Sequence, residues 1–291
     1  MLTKNLLRMI IICLSLISIA FSFISPGEVK SAGEINIKIW VDKDLYLVRE
    51  PIFVNYSIKN VTDSLLFLSF NEIEEYFVIK DQNGRFFGTS VRGMYGGDTL
   101  LPQQTYSAWI EITSAYGVKQ VGEYNGSLQM PSGGFFPYTG AKSNTIKIKV
   151  KGPTGDEKKA LDLYLEAQKL HWCKDKDPKK WEQAFYKYLE LAGKYPKSVY
   201  APMSLYTALF KAHVIKDKNI VISVCKKLIE NYPESYYIDD TFYNLVGNYK
   251  VLEDKTGAIE YMKELIKKYP DSKISERAEY WLEKIEKWEF E

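Results

Sequence analysis

The sequence predicts a two-domain chain, an all-β sandwich followed by an all-α array of helical repeats, and three observations carry that prediction. Apolar residues alternate with a period of two from Glu34 to about Lys151, as in Ile35, Ile37, Ile39, Val41 and in Ile52, Val54, Tyr56, Ile58, which marks strands with one buried face. After the Gly/Pro junction Lys151-Gly-Pro-Thr-Gly155 the period becomes helical, placing a domain boundary there. Three Tyr-Pro pairs, Tyr195-Pro196, Tyr232-Pro233 and Tyr269-Pro270, then recur every 37 residues, as expected of one supersecondary unit stacked on copies of itself.

The β domain is expected over 33–151. Beyond the two runs above, strands are predicted at 65–70, 76–80, 105–113, 121–130 and 145–150, with Asp81-Gln82-Asn83-Gly84 as the clearest turn. Seven or so short strands without an intervening helical pattern argue for an antiparallel sandwich. If 105–113 and 121–130 form a hairpin, the loops 88–101, with Met94 and Tyr95, and 131–141, with Phe135, Phe136 and Tyr138, emerge at one end as candidate contacts. The competing reading is that these aromatics plug the end of the core. The run Pro51-Ile-Phe-Val-Asn-Tyr-Ser-Ile-Lys-Asn-Val-Thr-Asp63, with Ser143-Asn-Thr-Ile-Lys-Ile-Lys-Val150, resembles the immunoglobulin-like domains of exported bacterial proteins. Asn60-Val-Thr-Asp63 followed by Tyr76-Phe-Val-Ile-Lys-Asp81 and Gly84 is also similar to the bacterial intracellular proteinase inhibitor domain. The cysteines of antibody-type domains are missing, so packing alone must hold the sheets together.

In the second half, Ser198, Ser235 and Ser272 stand two residues after each proline, where a hydroxyl can cap the next helix. Leu191, Leu228 and Leu265 precede each Tyr-Pro tyrosine by four residues, and Ala184-Phe185, Val221-Ile222 and Ala258-Ile259 fall earlier in the same helices. Small and large apolar residues at matched sites are what close helix packing requires. Helices are predicted at 156–172, 178–194, 198–214, 219–230, 235–251, 255–268 and 272–288. Over 156–288 the chain resembles the tetratricopeptide repeat family, in the Tyr-Pro-x-Ser variant found in bacterial envelope proteins. The first repeat departs from the others, with a longer linker at 171–177 and no preceding Tyr-Pro. The resemblance implies a right-handed superhelix whose first helices line a groove for a peptide or partner helix. Mapped onto this chain, Tyr206, Tyr243 and Tyr280 form a ladder, with Phe210, His213, Asp240, Lys250, Arg277 and Lys284 nearby. Tyrosine suits a wet binding surface; the alternative is that the rings pack between helices.

Composition narrows the function further. The 291 residues carry a formal charge of +2 with both signs interleaved, which gives no single-sign field for nucleic acid. Lys4 and Arg8 flank and enter an apolar run over 6–24 that ends at Ser25-Pro-Gly27, the pattern of a secretory signal. Cleavage is expected near Ala32, with Ser22 as the alternative, giving an exported chain, periplasmic, in the cell envelope or extracellular; if retained, segment 1–31 would act as a membrane anchor. Cys13 lies inside the apolar run rather than at its end, which argues against lipidation. Cys173 and Cys225 remain, read as a loop cysteine and a buried small apolar thiol. His171 and His213 are the only histidines and sit in no metal or catalytic motif. The acidic pairs Glu74-Glu75 and Asp239-Asp240 read as solvated faces. No phosphate loop or nucleophile elbow appears, so no catalytic residue, metal or cofactor is expected. The sequence reading is a non-catalytic exported scaffold or adaptor that holds a protein or peptide in its repeat groove. The alternatives are a protease inhibitor acting through the β domain and a glycan-binding envelope protein acting through loop aromatics.

Overall fold

The computed structural model describes residues 35–69, 76–87, 97–130 and 140–288. They cluster into two compact units. The first takes in the described residues up to Asp44 with Ile52–Val118 and Gly122–Lys149, and the second takes in Leu45–Pro51, Lys119–Val121 and the residues from Val150 onward.

Ten strands are described: β1 (Ile35–Trp40), β2 (Leu45–Leu47), β3 (Phe53–Asn60), β4 (Leu66–Ser69), β5 (Phe77–Asp81), β6 (Phe86–Phe87), β7 (Gly97–Leu100), β8 (Thr105–Glu111), β9 (Gly122–Leu128) and β10 (Ile146–Lys151). They form sheets of order β1-β3-β8, β2-β10-β9-β5-β6 and β4-β7. Alternation along β1 buries Ile35, Ile37 and Ile39 and turns Asn36, Lys38 and Trp40 outward. Antiparallel pairing sets Ile37 opposite Ile58 and Ile39 opposite Tyr56, so both strands bury the same face.

The expected hairpin of 105–113 with 121–130 is corrected: β8 pairs with β3, whereas β9 pairs with β5 in the other sheet. The cause is local. Glu111 accepts the amides of Thr113 at 2.7 Å and Ser114 at 3.1 Å, which opens the helical turn α1 (Ile112–Ala115). The Ile52 amide donates to the Thr113 hydroxyl at 3.0 Å, so the chain turns away where β8 would otherwise have continued.

The Asp81 turn is present, with the Gly84 amide donating to the Asp81 carbonyl at 3.0 Å and Gly84 at φ 77°, a region open to glycine. Two asparagines do work that the sequence reading missed. Asn60 is fully buried; its side-chain amide donates to the carbonyls of Ser64, Leu100 and Leu101 and its oxygen accepts from Thr62. Asn144 bonds both the amide and the carbonyl of Ile39, each at 2.9 Å. Gly126 lies in β9 where an added Cβ would sit 2.8 Å from the Phe77 ring, marking a close approach. Gly126→Ala is expected to cost about 1–3 kcal/mol, read as a lowered thermal midpoint of the full chain.

The second unit holds α2 (Gly155–His171), α3 (Pro178–Lys194), α4 (Tyr200–Leu209), α5 (Lys218–Asn231), α6 (Ile238–Val251), α7 (Lys255–Lys268) and α8 (Lys273–Glu286). Its core contains fully buried Phe185, Tyr188, Tyr200 and Phe242, of which each phenylalanine is worth about 1.5–3 kcal/mol of apolar burial. At each Tyr-Pro the tyrosine amide donates to the leucine four residues back, Tyr195 to Leu191, Tyr232 to Leu228 and Tyr269 to Leu265. The tyrosine carbonyl then accepts from the serine three residues on, Ser198, Ser235 and Ser272. Proline leaves the preceding residue outside the α region, at φ −128°, −135° and −127°, and so ends each helix at the same place.

Two details differ from expectation. Only Ser272 caps a helix, accepting from the Ser275 amide at 3.2 Å. Ser198 and Ser235 accept instead from the amides two residues on, those of Tyr200 and Tyr237, because α4 and α6 begin later, with Val199 and Tyr237 at their N-caps. The helix expected at 198–214 ends at Leu209, where the amides of Phe210 and Lys211 bond carbonyls three residues back and a 3₁₀ turn follows at Ala212–Val214. The second helix of each pair has its own cap, since Asp177, Asp217 and Asp254 accept from Lys179, Asn219 and Gly257. Asp217 and Asp254 are again 37 apart, a recurrence available in the sequence.

Candidate partner-binding surface

Tyr206, Tyr243 and Tyr280 occupy equivalent positions on α4, α6 and α8, the first helices of successive pairs. They differ in what surrounds them. Tyr206 is half-buried: its ring stacks on Tyr237 at 4.2 Å and meets Phe210 edge-on at 5.0 Å, and its hydroxyl donates to Asp240 at 2.5 Å. Burial, and then the Asp240 carboxylate, hold its phenol proton above the usual range. Tyr243 and Tyr280 are open, at 70% and 56% exposure, as is Phe210 at 61%. Trp281 lies between the two open tyrosines in contact terms, 6.2 Å from Tyr243 and 5.4 Å from Tyr280, and the Lys284 ammonium sits 4.8 Å over the Tyr280 ring. The surface is therefore two aromatic clusters rather than three equal rungs.

Asp239 and Asp240 do more than face water, which corrects that expectation. Asp240 takes the Tyr206 hydroxyl from the preceding repeat, and Asp239 pairs with the Arg277 guanidinium of the following one, whose Nη2 lies 3.1 Å from Oδ2. The Tyr232 hydroxyl likewise donates to the Pro196 carbonyl at 2.9 Å, and the Tyr261 hydroxyl to Glu230 at 3.2 Å. Each bond joins one repeat to the next. Lys250 is exposed in the last turn of α6. The His213 backbone lies in the 3₁₀ turn, and its side chain is outside the described part. Met94, Tyr95, Phe135, Phe136 and Tyr138 fall outside the described residues, as do segment 1–31 and Glu74-Glu75. The sequence reading missed Trp281, which follows Tyr280 directly, and Tyr237, which stands 37 residues after Tyr200.

His171 is buried beside Trp172 and Tyr188, at ring distances of 4.7 and 5.9 Å. Its Nδ1 and the Tyr188 hydroxyl have no hydrogen-bond partner among the described residues. Burial, and then the Lys211 charge, lower its pKa to about 4. Cys225 is buried, its thiol pushed up to about 12 by desolvation, and Cys173 is a half-buried free thiol in the loop after α2. Among the described residues no three histidine, cysteine or acidic side chains converge on one point, and no helix is long and apolar enough to cross a membrane.

No curated protein matches the chain. Among solved structures, a beta-glucosidase from Listeria innocua in complex with isofagomine is 13% identical over 42% of this chain and 17% of its own, with a TM-score of 0.26. The yjhA protein from Bacillus subtilis is 15% identical over 43% of this chain and 97% of its own, with a TM-score of 0.24. The beta-glucosidase EmGH1 from Erythrobacter marinus is 11% identical over 40% and 15%, with a TM-score of 0.26. This chain thus spans less than a fifth of either beta-glucosidase, and likenesses at these scores bear on neither fold nor activity. The tetratricopeptide repeat model matches residues 240–272, from the first turn of α6 to the Ser272 cap of α8. Together with the stacked helix pairs around it, that match makes the second unit a tetratricopeptide-like repeat array.

Proposed function

We propose that the chain is a non-catalytic exported adaptor that holds a protein or peptide partner on the first helices of its repeat array, with an immunoglobulin-like sandwich as its strand-rich unit. The observation that carries this reading is the exposure of Tyr243 and Tyr280 one repeat apart, with Trp281 in contact with both rings. Rings held by packed helices lose little freedom when a partner covers them, and the polar ties at Asp239 and Asp240 brace the helices that carry them. Export is supported by the charged and apolar pattern of segment 1–31.

The test is crosslinked capture from the native host, comparing the chain from residue 32 onward with Tyr243→Ala/Tyr280→Ala. One specific protein recovered by the wild type and reduced tenfold or more by the double variant is the expected result. Circular dichroism should show unchanged helix content and a melting midpoint within a few degrees, because neither ring belongs to the buried core. Equal capture by both chains would overturn the reading.

A further inference from the structure

Helices α5, α6 and α7 meet around a groove of about 440 Å³, a size that suits a small molecule. α5 contributes Lys226 to its lining, α6 contributes Tyr249, and Asp254, Glu260, Tyr261 and Glu264 come from the turn after α6 and from α7. The charged groups of the lining are thus three carboxylates against one ammonium. Asp254 is occupied in part, accepting from the Gly257 amide at 2.8 Å. Glu260 and Glu264 are exposed and lie on one face of α7, about 6 Å apart along its axis. Like charges at that spacing repel, and neither carboxylate has an ion-pair or hydrogen-bond partner among the described residues. Lys263 and Lys267 of the same helix stay outside the lining, and Lys268 pairs with Glu230 at 3.2 Å. Lys226 lays its ammonium on aromatic faces instead, 4.2 Å from the centroid of the Tyr261 ring and 5.8 Å from that of Tyr249, so this wall already attracts a cation. The Tyr261 hydroxyl donates to Glu230 at 3.2 Å. Tyr249 is only 4% exposed, yet its hydroxyl makes no hydrogen bond among the described residues. A polar group set this deep in a lining calls for a partner.

We propose that this groove binds a short aliphatic diamine, its two ammonium groups pairing with Glu260 and Glu264 and its methylene chain lying on the Tyr261 and Tyr249 rings. The charge of the lining selects a cation, and two unneutralised carboxylates select a ligand with two positive centres. Their spacing along α7 is close to the length of an extended four-carbon diammonium. A metal ion does not suit the site, because among the described residues no three acidic, histidine or cysteine side chains converge on one point. Lys226 is the resident competitor. The ligand displaces its ammonium from the Tyr261 face, and the lysine, held by no carboxylate, turns out to solvent. The Tyr249 hydroxyl then accepts from the nearer ammonium of the ligand. The site is independent of the adaptor surface, since Tyr243 and Tyr280 take no part in its lining.

Titration calorimetry of the full chain with 1,4-diaminobutane tests the proposal, with butylamine as the single-charge control. The diamine should occupy one site per chain and bind more weakly as salt is raised. Butylamine should bind about tenfold more weakly or worse. Glu260→Gln/Glu264→Gln should remove most of the binding, and its melting midpoint should not fall, because both side chains are exposed and their repulsion is relieved. Tyr249→Phe keeps the ring and should weaken binding severalfold. Lys226→Gln should tighten it severalfold, which a lysine with a merely structural role would not do. Absence of binding up to about 10 mM diamine, equal binding of butylamine, or binding unchanged in the double glutamine variant would each overturn the proposal. Weaker binding by Lys226→Gln would overturn it as well, since the lysine would then be holding the ligand rather than competing with it. An acetylated dilysine amide that binds more tightly than the diamine would overturn it by assigning the groove to a basic protein segment.

Discussion

Asn60→Ala should destabilise the strand-rich unit by roughly 3 kcal/mol, because it strips partners from several groups at once. The carbonyls of Ser64, Leu100 and Leu101 and the Thr62 amide all turn to one fully buried side chain. Leaving a buried polar group unsatisfied costs about 1–3 kcal/mol, and the loop after β3 and the end of β7 both depend on this residue. Asn60→Asp separates the two halves of the interaction. It keeps the acceptor toward Thr62 but sets a carboxylate oxygen against carbonyl oxygens, so its loss at pH 7 should at least equal that of alanine. Near pH 4, where the carboxyl regains a donor proton, part of the loss should return. Urea denaturation of the full chain, followed at the transition of the strand-rich unit, checks both variants. A burial this complete also removes Asn60 as a glycan acceptor, although Asn60-Val-Thr62 matches the triplet.

The second large effect is a loss of stability on acidification, centred on His171. The unfolded chain binds a proton there near pH 6.5, whereas the folded chain holds off until about 4. Between those values the unfolded state carries more protons, so stability is full above pH 6.5 and falls as pH drops through this window. By pH 5 the cost is about 2 kcal/mol, rising to roughly 3 kcal/mol at pH 4. The carboxylates held low by ion pairs, Glu166, Asp175 and Glu283, stay ionised down to pH 5, so the upper part of the window belongs to histidine. His171→Leu should flatten the dependence between pH 7 and 5 in melts of the helical unit. It should also remove the orphaned Nδ1 without opening a cavity of any size. A slope unchanged in that variant would assign the effect elsewhere.

The helical half was readable to within three residues at every helix but the one expected at 198–214, because a 37-residue period superimposes several independent signals. The Tyr-Pro turn, the leucine before it and the small-large pairs all locate the same boundaries, and the observed hydrogen bonds at Leu191, Leu228 and Leu265 explain why. Seven strands were visible by alternation, but the short β2, β6 and β7 were not, the last lying within the loop expected at 88–101, and neither were the strands' partners. Alternation says which face of a strand is buried and nothing about its neighbour, so the single helical turn after Glu111 was enough to send β8 and β9 to different sheets. The site was legible in its residues and not in their inequality. Tyr206 differs from Tyr243 because Tyr237 stacks on it, whereas the residue at the same offset from Tyr243 is Ile274. The ties at Asp239 and Asp240 span 38 and 34 residues, offsets that match neither helical spacing nor the repeat.

Asn144 carries a consequence for how molecules of this chain meet. By returning both hydrogen bonds to Ile39, its side-chain amide imitates a residue of a fourth strand alongside β1. Any extended segment seeking to lengthen that sheet would have to displace the amide first. That border is thereby blocked near the C-terminal end of β1 against the addition of a further strand.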